Sequence, residues 1–434
     1  MAFLPVGVDE NNKFPPAVQA DLNATYGLKT DVEEKLDQAS ADALYAPVSL
    51  TSRLPRLRNT LVPAGDSNMD NGGGPGRTNS FRPGAAWTWA QVLSGHRLEV
   101  VRNAGVGGEN STQLLARYDT DVIAYNPGCV LLNIGTNDAG IDAVSVPLAT
   151  TKANILEMLD RNAAIGAKTI ICTIPPRNTR TATTRAHALP LNAWIRSLPR
   201  TRDGVIVFDQ YLYMQDPAVP DNWISGYTGD GTHFKPAGGF AAGKVLAELI
   251  KREFPPLSRV STVRGDETNL ITNQGQFVGA GAGVAPTGWT LSNAATMAPY
   301  ITGLVPRTDG VPGNWLEIVV PNGANFVMSR AITSQVAAGD TIQAAVEFEF
   351  SNLEASPSVY QYASFDLSIG PSYFNTQAMG HSQGSDDNHG SAARSGVLLT
   401  PPRTIQSGDT PIQAIFDIRG GGTYRFANAT ISKV

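Results

Sequence analysis

Little of this chain is charged: Asp, Glu, Lys and Arg make up 16% of its 434 residues, with 38 acidic against 33 basic side chains and a formal charge of −5. No Lys/Arg-rich run interrupts that near balance, so the chain builds no positive field of the kind that phosphate backbones or anionic membranes require, and nucleic acid is not an expected partner. Cysteine is scarcer still. Cys129 and Cys172 each sit in an apolar run, CVLLNIG and KTIICTI, which reads as buried thiols; a bridge between neighbouring strands is the alternative. With no CxxC and no Cys/His cluster, neither a metal nor a cofactor is expected. Long apolar stretches are missing as well, so no membrane insertion is expected. The opening MAFLPVGVDENNKFPP lacks the basic start and apolar run of a signal peptide, which predicts a soluble chain not exported by a leader of its own.

What the chain has in quantity is turn formers, 43 Gly and 29 Pro, on a 42% hydrophobic background, which together read as globular with many irregular connections. Its length calls for two or three cores. Residues 1–57 carry short helix-like stretches, with Leu28, Val32 and Leu36 spaced by four. That narrow stripe needs a partner surface, so the segment reads as an attachment or oligomerisation piece, or else as a loosely packed arm.

Residues 58–256 alternate apolar strands with helical stretches: LEVVRNAG, CVLLNIG, a helix from Pro147 to Ile165, KTIICTI, a helix around Leu191–Leu198, GVIVFD, and a helix from Pro236 to Phe254. This rhythm predicts an α/β domain, a parallel sheet flanked by helices, with its ligand site beyond the carboxyl ends of the strands. Residues 265–434 change to short alternating strands such as WLEIVV, TIQAAVEFEF, ASFDLSI and ATISKV, separated by Gly/Pro/Asn turns and without a helical pattern. They predict a separate antiparallel β-sandwich.

Four polar segments follow the strands of the middle region. Ser67 lies in LVPAGDSNMD, after a glycine that permits a tight turn. Asp230 and His233 share TGDGTHFKPAG, where a spacing of three lets the carboxylate reach one imidazole nitrogen while the other faces a ligand. A capping aspartate beside a surface histidine is the plainer reading of that pair. The glycines of RNAGVGGENST can bring a backbone N–H to a substrate oxygen, and Asn137 of LLNIGTNDAG can add a side-chain amide. Either segment alone could be a simple turn.

Taken in order, GDSN at 65–68, NAGVGGENS at 103–111, GTND at 135–138 and DGTH at 230–233 resemble the SGNH, or GDSL, hydrolase family over nearly all of residues 58–256. The resemblance implies a flavodoxin-like α/β fold and a serine esterase. In it Ser67 is the nucleophile, His233 the base and Asp230 its orienting acid. The oxyanion hole is formed by the Ser67 N–H, the Gly108 N–H and the Asn137 side chain, with Gly105 and Gly107 as alternatives to Gly108. Asn68 replaces the aliphatic residue usual in the first block, which touches substrate preference and leaves the triad intact.

Two weaker resemblances concern the flanks. The opening NLITNQGQFVGAGAGVAPTGWTLS and the closing YRFANATISKV are similar to jelly-roll carbohydrate-binding modules, with a purely structural sandwich as the rival reading. FPPAVQADLNATYG and ADALYAPVSLTSRL resemble the start of phage tail fibres and tail spikes. Together these imply a virion tail component acting outside the cell, trimeric in the manner of tail proteins, with other tail proteins as partners and a bacterial surface glycan as the substrate from which O-acetyl groups are removed. The alternatives are a small-ester or lipid esterase, and a receptor-binding or structural tail protein with an idle hydrolase domain. The remaining histidines, His96, His187, His381 and His389, sit in polar or loop contexts without matching partners; His381 and His389, with Asp386 and Asp387 between them, read as a solvated loop, with a metal site as the alternative. The strip RNTRTATTR, after KTIICTIPP and so near the active-site edge, reads as a flexible loop with scattered surface charge that could bind an acidic sugar. Asp138 reads as a helix- or turn-capping residue.

Overall fold

A computed structural model describes residues 58–70, 84–140, 142–263, 266–311, 313–332, 335–355, 361–370, 372–374 and 391–434. The expected attachment segment, residues 1–57, lies outside them, as do His381 and His389. Residues 58–434 form one unit.

Its first half is built on a wholly parallel sheet of β1 (Thr60–Gly65), β2 (Glu99–Val100), β3 (Ala104–Gly105), β4 (Cys129–Asn133), β5 (Lys168–Cys172) and β6 (Val205–Phe208), in the order β2-β1-β4-β5-β6. β2 pairs with the start of β1 and β3 with its end, so the two form one interrupted edge strand. The run LEVVRNAG was expected as a single strand. It breaks because Asn103 accepts the Gly105 N–H at 2.9 Å and turns the chain inward.

The strands read as unbroken apolar runs because both faces are covered. Leu61, Leu131 and Ile170 face one core with α2 (Ala86–Leu93) and α9 (Pro236–Glu253). Val62, Val130, Leu132 and Ile171 face a second core, with α3 (Ser111–Ala116), α4 (Tyr118–Asp121), α6 (Leu148–Ala164) and α7 (Ala182–Ser197). Three short helices, α1 (Ser67–Asp70), α5 (Thr136–Ala139) and α8 (Gln210–Met214), start just after β1, β4 and β6. Both cysteines are free and buried on adjacent strands, and burial pushes the Cys129 thiol up to about 12.

α7 is longer than the sequence predicts, running through Pro190. Its buried stripe continues on both sides of the proline as Thr184, His187, Ala188, Leu191 and Ile195; a threonine and a histidine on that stripe weaken the apolar signal. No described helix is long and apolar enough to cross a membrane.

The second half holds two antiparallel sheets. One contains β7 (Thr290–Leu291), β10 (Asn325–Ala331), β12 (Tyr362–Ile369), β13 (Ser372–Phe374) and β16 (Ile412–Arg419). The other contains β8 (Ile301–Pro306), β9 (Asn314–Val320), β11 (Thr341–Ser351), β14 (Arg394–Leu399), β15 (Arg403–Thr404) and β17 (Gly422–Lys433). Their facing sides share one aromatic core: Phe416 of β16 lies 4.5 Å, centroid to centroid, from Phe426 of β17 and 4.6 Å from Phe365 of β12. One helical turn, α10 (Ala294–Met297), interrupts the strands. Asn293 caps it, a local signal that no apolar periodicity announces.

α2 joins the two halves. All eight of its residues are buried, which an isolated amphipathic helix would not allow. Toward α9, Trp89 meets Phe240 edge-on at 5.0 Å, and a Cβ at Gly243 would fall 2.3 Å from the Trp89 Cβ. Toward the sandwich, Val92 belongs to the aromatic core, and a Cβ at Gly396 of β14 would fall 2.1 Å from the Val92 carbonyl oxygen. The Arg394 guanidinium lies over the Phe240 ring at 4.4 Å. For His96, just beyond α2, burial and the neighbouring Arg259 depress the pKa to about 3, and Arg259 donates to its carbonyl oxygen at 3.2 Å.

Candidate active site

With β2 and β3 counted as one strand, the sheet order reverses between β1 and β4, so a crevice opens beyond their carboxyl ends, where open α/β sheets bind ligands. Ser67 follows β1 there. A side chain at Gly65 would place its Cβ 1.9 Å from the Asn133 carbonyl oxygen, so only glycine lets the chain leave the sheet this tightly. Asp66 then caps α1: its Oδ1 accepts the Asn68 N–H at 2.9 Å, and its carbonyl accepts from Met69 and Asp70 at 3.0 Å. Ser67 thus stands at the first helical position, where a backbone N–H has no acceptor within the helix. Asp66 is fully buried, and this raises its pKa to about 6 against the opposing influence of the Asn68 N–H and of His233. Asn68 is buried beside it.

The turn before α9 carries the partners of Ser67. His233 Nε2 lies 2.8 Å from Ser67 Oγ, and His233 Nδ1 lies 2.5 Å from Asp230 Oδ2. The other carboxylate oxygen accepts the Thr232 and His233 N–H groups, each at 2.8 Å. Asp230 therefore caps the turn and contacts the imidazole with the same carboxylate, so the two readings of the sequence are not exclusive. Partial burial works to raise its pKa, but the bonds from His233 and Thr232 outweigh it and hold the group down at about 2. Below the turn, Trp223 Nε1 donates to the Gly231 carbonyl at 3.0 Å and packs edge-on against Phe234 at 4.9 Å. The side chains of His233 and Asp230 are 48% and 55% exposed, so this part of the crevice lies at the surface.

The glycine segment passes over α1. A Cβ on Gly105 would fall 2.1 Å from the Asp70 nitrogen, which makes that glycine a spacer between β3 and α1. A Cβ on Gly107 would fall 4.0 Å from the Ser67 Cβ. Gly108 has a φ of +82°, a conformation that favours glycine, with open space where a Cβ would stand. The segment is braced at Glu109, whose carboxylate takes two bonds from Arg117, at 2.8 and 2.6 Å, and whose carbonyl accepts the Asn137 side-chain amide at 2.9 Å. Asn137 uses one amide hydrogen there and keeps a second. Asp138 does cap, but at a distance from its own turn: fully buried, it accepts the Ser111 N–H of α3 at 2.9 Å and the Ser111 and Thr151 hydroxyls.

The strip RNTRTATTR is only in part the surface loop expected: most of it is exposed, but its last four residues open α7. Arg177 and Arg180 are buried, and Arg180 pairs with the buried Asp221 at 2.8 Å. His187 is likewise buried in α7, with its Nε2 3.0 Å from the Val146 carbonyl oxygen. The capping role of Asp66 and the Arg117–Glu109 brace were not read from the sequence. Asp before Ser at a strand-to-helix turn was the available signal for the first; nothing local marks the second.

A serine, a histidine and a carboxylate joined in series at the strand ends of a parallel α/β sheet define a hydrolase domain equipped for acyl transfer. Residues 64–239 match the GDSL-like Lipase/Acylhydrolase family model, and the chain carries a domain of this GDSL, or SGNH, class. No curated protein matches the chain. Solved structures similar to it include a putative lipolytic protein of the G-D-S-L family from Desulfitobacterium hafniense DCB-2, 21% identical over 44% of this chain and 99% of that one, with a TM-score of 0.36. A putative acylhydrolase from Bacteroides fragilis is 21% identical over 50% and 99% of the two chains, TM-score 0.36. An acetylxylan esterase from Geobacillus stearothermophilus is 20% identical over 45% and 93%, TM-score 0.33.

Proposed function

We propose that the protein is a serine esterase that removes O-acetyl groups from a bacterial surface polysaccharide, acting outside the cell as part of a phage tail. The observation that carries the esterase reading is the continuous contact from Ser67 Oγ to His233 and on to Asp230. Ser67 attacks the ester carbonyl while His233 Nε2 takes its proton. Asp230 holds the imidazole by Nδ1 and stabilises the imidazolium. The tetrahedral oxyanion is received by the Ser67 and Gly108 N–H groups and by the free amide hydrogen of Asn137. His233 then gives its proton to the leaving sugar hydroxyl, and a water repeats the cycle on the acetyl-enzyme, releasing acetate.

A surface-lying crevice suits a polymer, whose chain must pass through without being enclosed, and the exposure of His233 and Asp230 supports that choice. The tail setting, a homotrimer and contacts with other virion proteins are supported by the resemblance of the first 57 residues to tail-fibre starts. Glycan binding by a jelly-roll sandwich is supported by the resemblance of residues 265–434 to carbohydrate-binding modules.

The test is release of acetate from an O-acetylated bacterial surface polysaccharide by the purified protein, with Ser67→Ala alongside. Release that vanishes in the variant is the expected result. Hydrolysis of a small chromogenic acetate but of no polysaccharide would refute the substrate; hydrolysis of neither would favour a receptor-binding protein with an idle hydrolase domain.

A further inference from the structure

Three arginines follow β5 near the crevice, and two of them are committed. Arg180 and Arg185 both bind Asp221, at 2.8 and 3.2 Å. Arg177 is placed differently. Its backbone N–H donates to the Asp221 carbonyl at 3.0 Å, and the next N–H, of Asn178, donates to the Gly231 carbonyl at 3.2 Å, so the residue is seated against the turn that carries Asp230 and His233. Its Nη1 reaches the carbonyl of Gly140, which closes α5 beside Asn137, at a long 3.5 Å. The side chain thus lies between the His233 turn and the Asn137 helix.

Arg177 is 6% exposed, yet its Nε has no hydrogen-bond partner, and among the described residues no carboxylate lies within ion-pair distance of its guanidinium. Such a group is costly to bury: it normally spends its donors on a planar, two-oxygen acceptor. Desolvation lowers its pKa, and the nearby Asp230, Asp66 and Asp142 offset this in part. Two of those carboxylates direct oxygens elsewhere, Asp230 to His233 and Thr232 and Asp66 to Asn68, so they temper the charge without using the donors.

We propose that Arg177 is the specificity-determining residue of this site and binds a carboxylate carried by the sugar, so that the ester cleaved belongs to an acidic glycan. This rests on the esterase reading above and narrows its substrate class. The acceptor fits the donor: a guanidinium offers paired N–H groups in a plane, and a uronate presents two oxygens in one.

The test compares O-acetylated polygalacturonate with the same polymer after methyl esterification of its carboxylates, which removes the charge and keeps the sugar. The full-length protein is expected to release acetate from the acidic form with at least tenfold higher kcat/KM. In Arg177→Gln that ratio falls about tenfold, mainly through KM on the acidic form, and Arg177→Lys recovers part of it. Equal cleavage of both polymers, cleavage of neither while p-nitrophenyl acetate is still hydrolysed, or an equal loss on both in Arg177→Gln would overturn the proposal. The last result would make Arg177 a brace for the His233 turn. Failure to hydrolyse p-nitrophenyl acetate at all would instead remove the esterase reading itself.

Discussion

Gly396 of the sandwich stands so close to α2 of the hydrolase half that a Cβ there would fall 2.1 Å from the Val92 carbonyl oxygen. The same helix carries Trp87, whose indole N–H donates to the Met69 carbonyl at 3.0 Å, directly beneath the turn of α1 that begins at Ser67. A strand nearly 330 residues beyond Ser67 is therefore two contacts from it.

Gly396→Val forces apart a backbone-to-backbone approach that no rotamer change can relieve. A loss of about 2–4 kcal/mol is expected from overpacking of this kind, visible as a lower urea midpoint. Because α2 is held from both sides, one unfolding transition for the sandwich and hydrolase halves is expected, reported alike by tryptophan fluorescence and esterase activity. Two separated transitions would show that α2 does not couple them.

Asp66 gives a pH signature. Its folded-state pKa of about 6 lies above the ordinary carboxylate value, so the folded protein holds this proton more tightly than the unfolded chain. The stabilisation is complete below about pH 4 and is lost as pH rises through 6, where a buried charge forms at a cost on the order of 3 kcal/mol. Asp66→Asn keeps an oxygen for the Asn68 N–H and carries no charge. Its stability relative to wild type, measured by urea unfolding, is expected to grow from pH 5 to pH 8; a difference independent of pH would contradict this assignment.

Asn137→Ala removes the side-chain donor proposed to receive the developing oxyanion. A fall in kcat on the order of 10²–10³-fold with little change in KM is expected from steady-state kinetics on a chromogenic acetate. A rise in KM with kcat unchanged would assign Asn137 to ground-state binding.

Asp221 binds two arginines while 1% exposed. Asp221→Ala leaves Arg180 buried and unpaired, and a loss of about 3–5 kcal/mol is expected in thermal or urea unfolding. Since Arg177 and Asn178 hang from the same loop, the turn bearing His233 is expected to loosen with it, lowering kcat as well.

Much of the hydrolase half was legible because its strands are buried on both faces: Cys129–Leu132 and Ile170–Cys172 run as unbroken apolar stretches. The Ser67–His233–Asp230 site was legible because Ser67 stands just after β1 and Asp230 and His233 stand three apart in the turn before α9. Features set by contacts far apart in sequence were not. Nothing near Asn103 in the sequence says that its amide will donate to the Asp70 carbonyl of α1, and nothing in RNTRTATTR says that Arg180 will meet Asp221 from 41 residues away. Thr184 and His187 stand where a longer apolar stripe would have announced the start of α7. The clamp on α2 depends on Gly396, whose value lies in the side chain it lacks.

The most direct test of the central claim is covalent labelling with a fluorophosphonate, followed by intact mass and peptide mapping, with hydrolysis of p-nitrophenyl acetate measured in parallel. The account predicts one adduct, on Ser67, with activity lost in proportion to labelling, and a label that is slow or absent in His233→Ala. Activity that survives full labelling of Ser67, or that persists in Ser67→Ala, would contradict it.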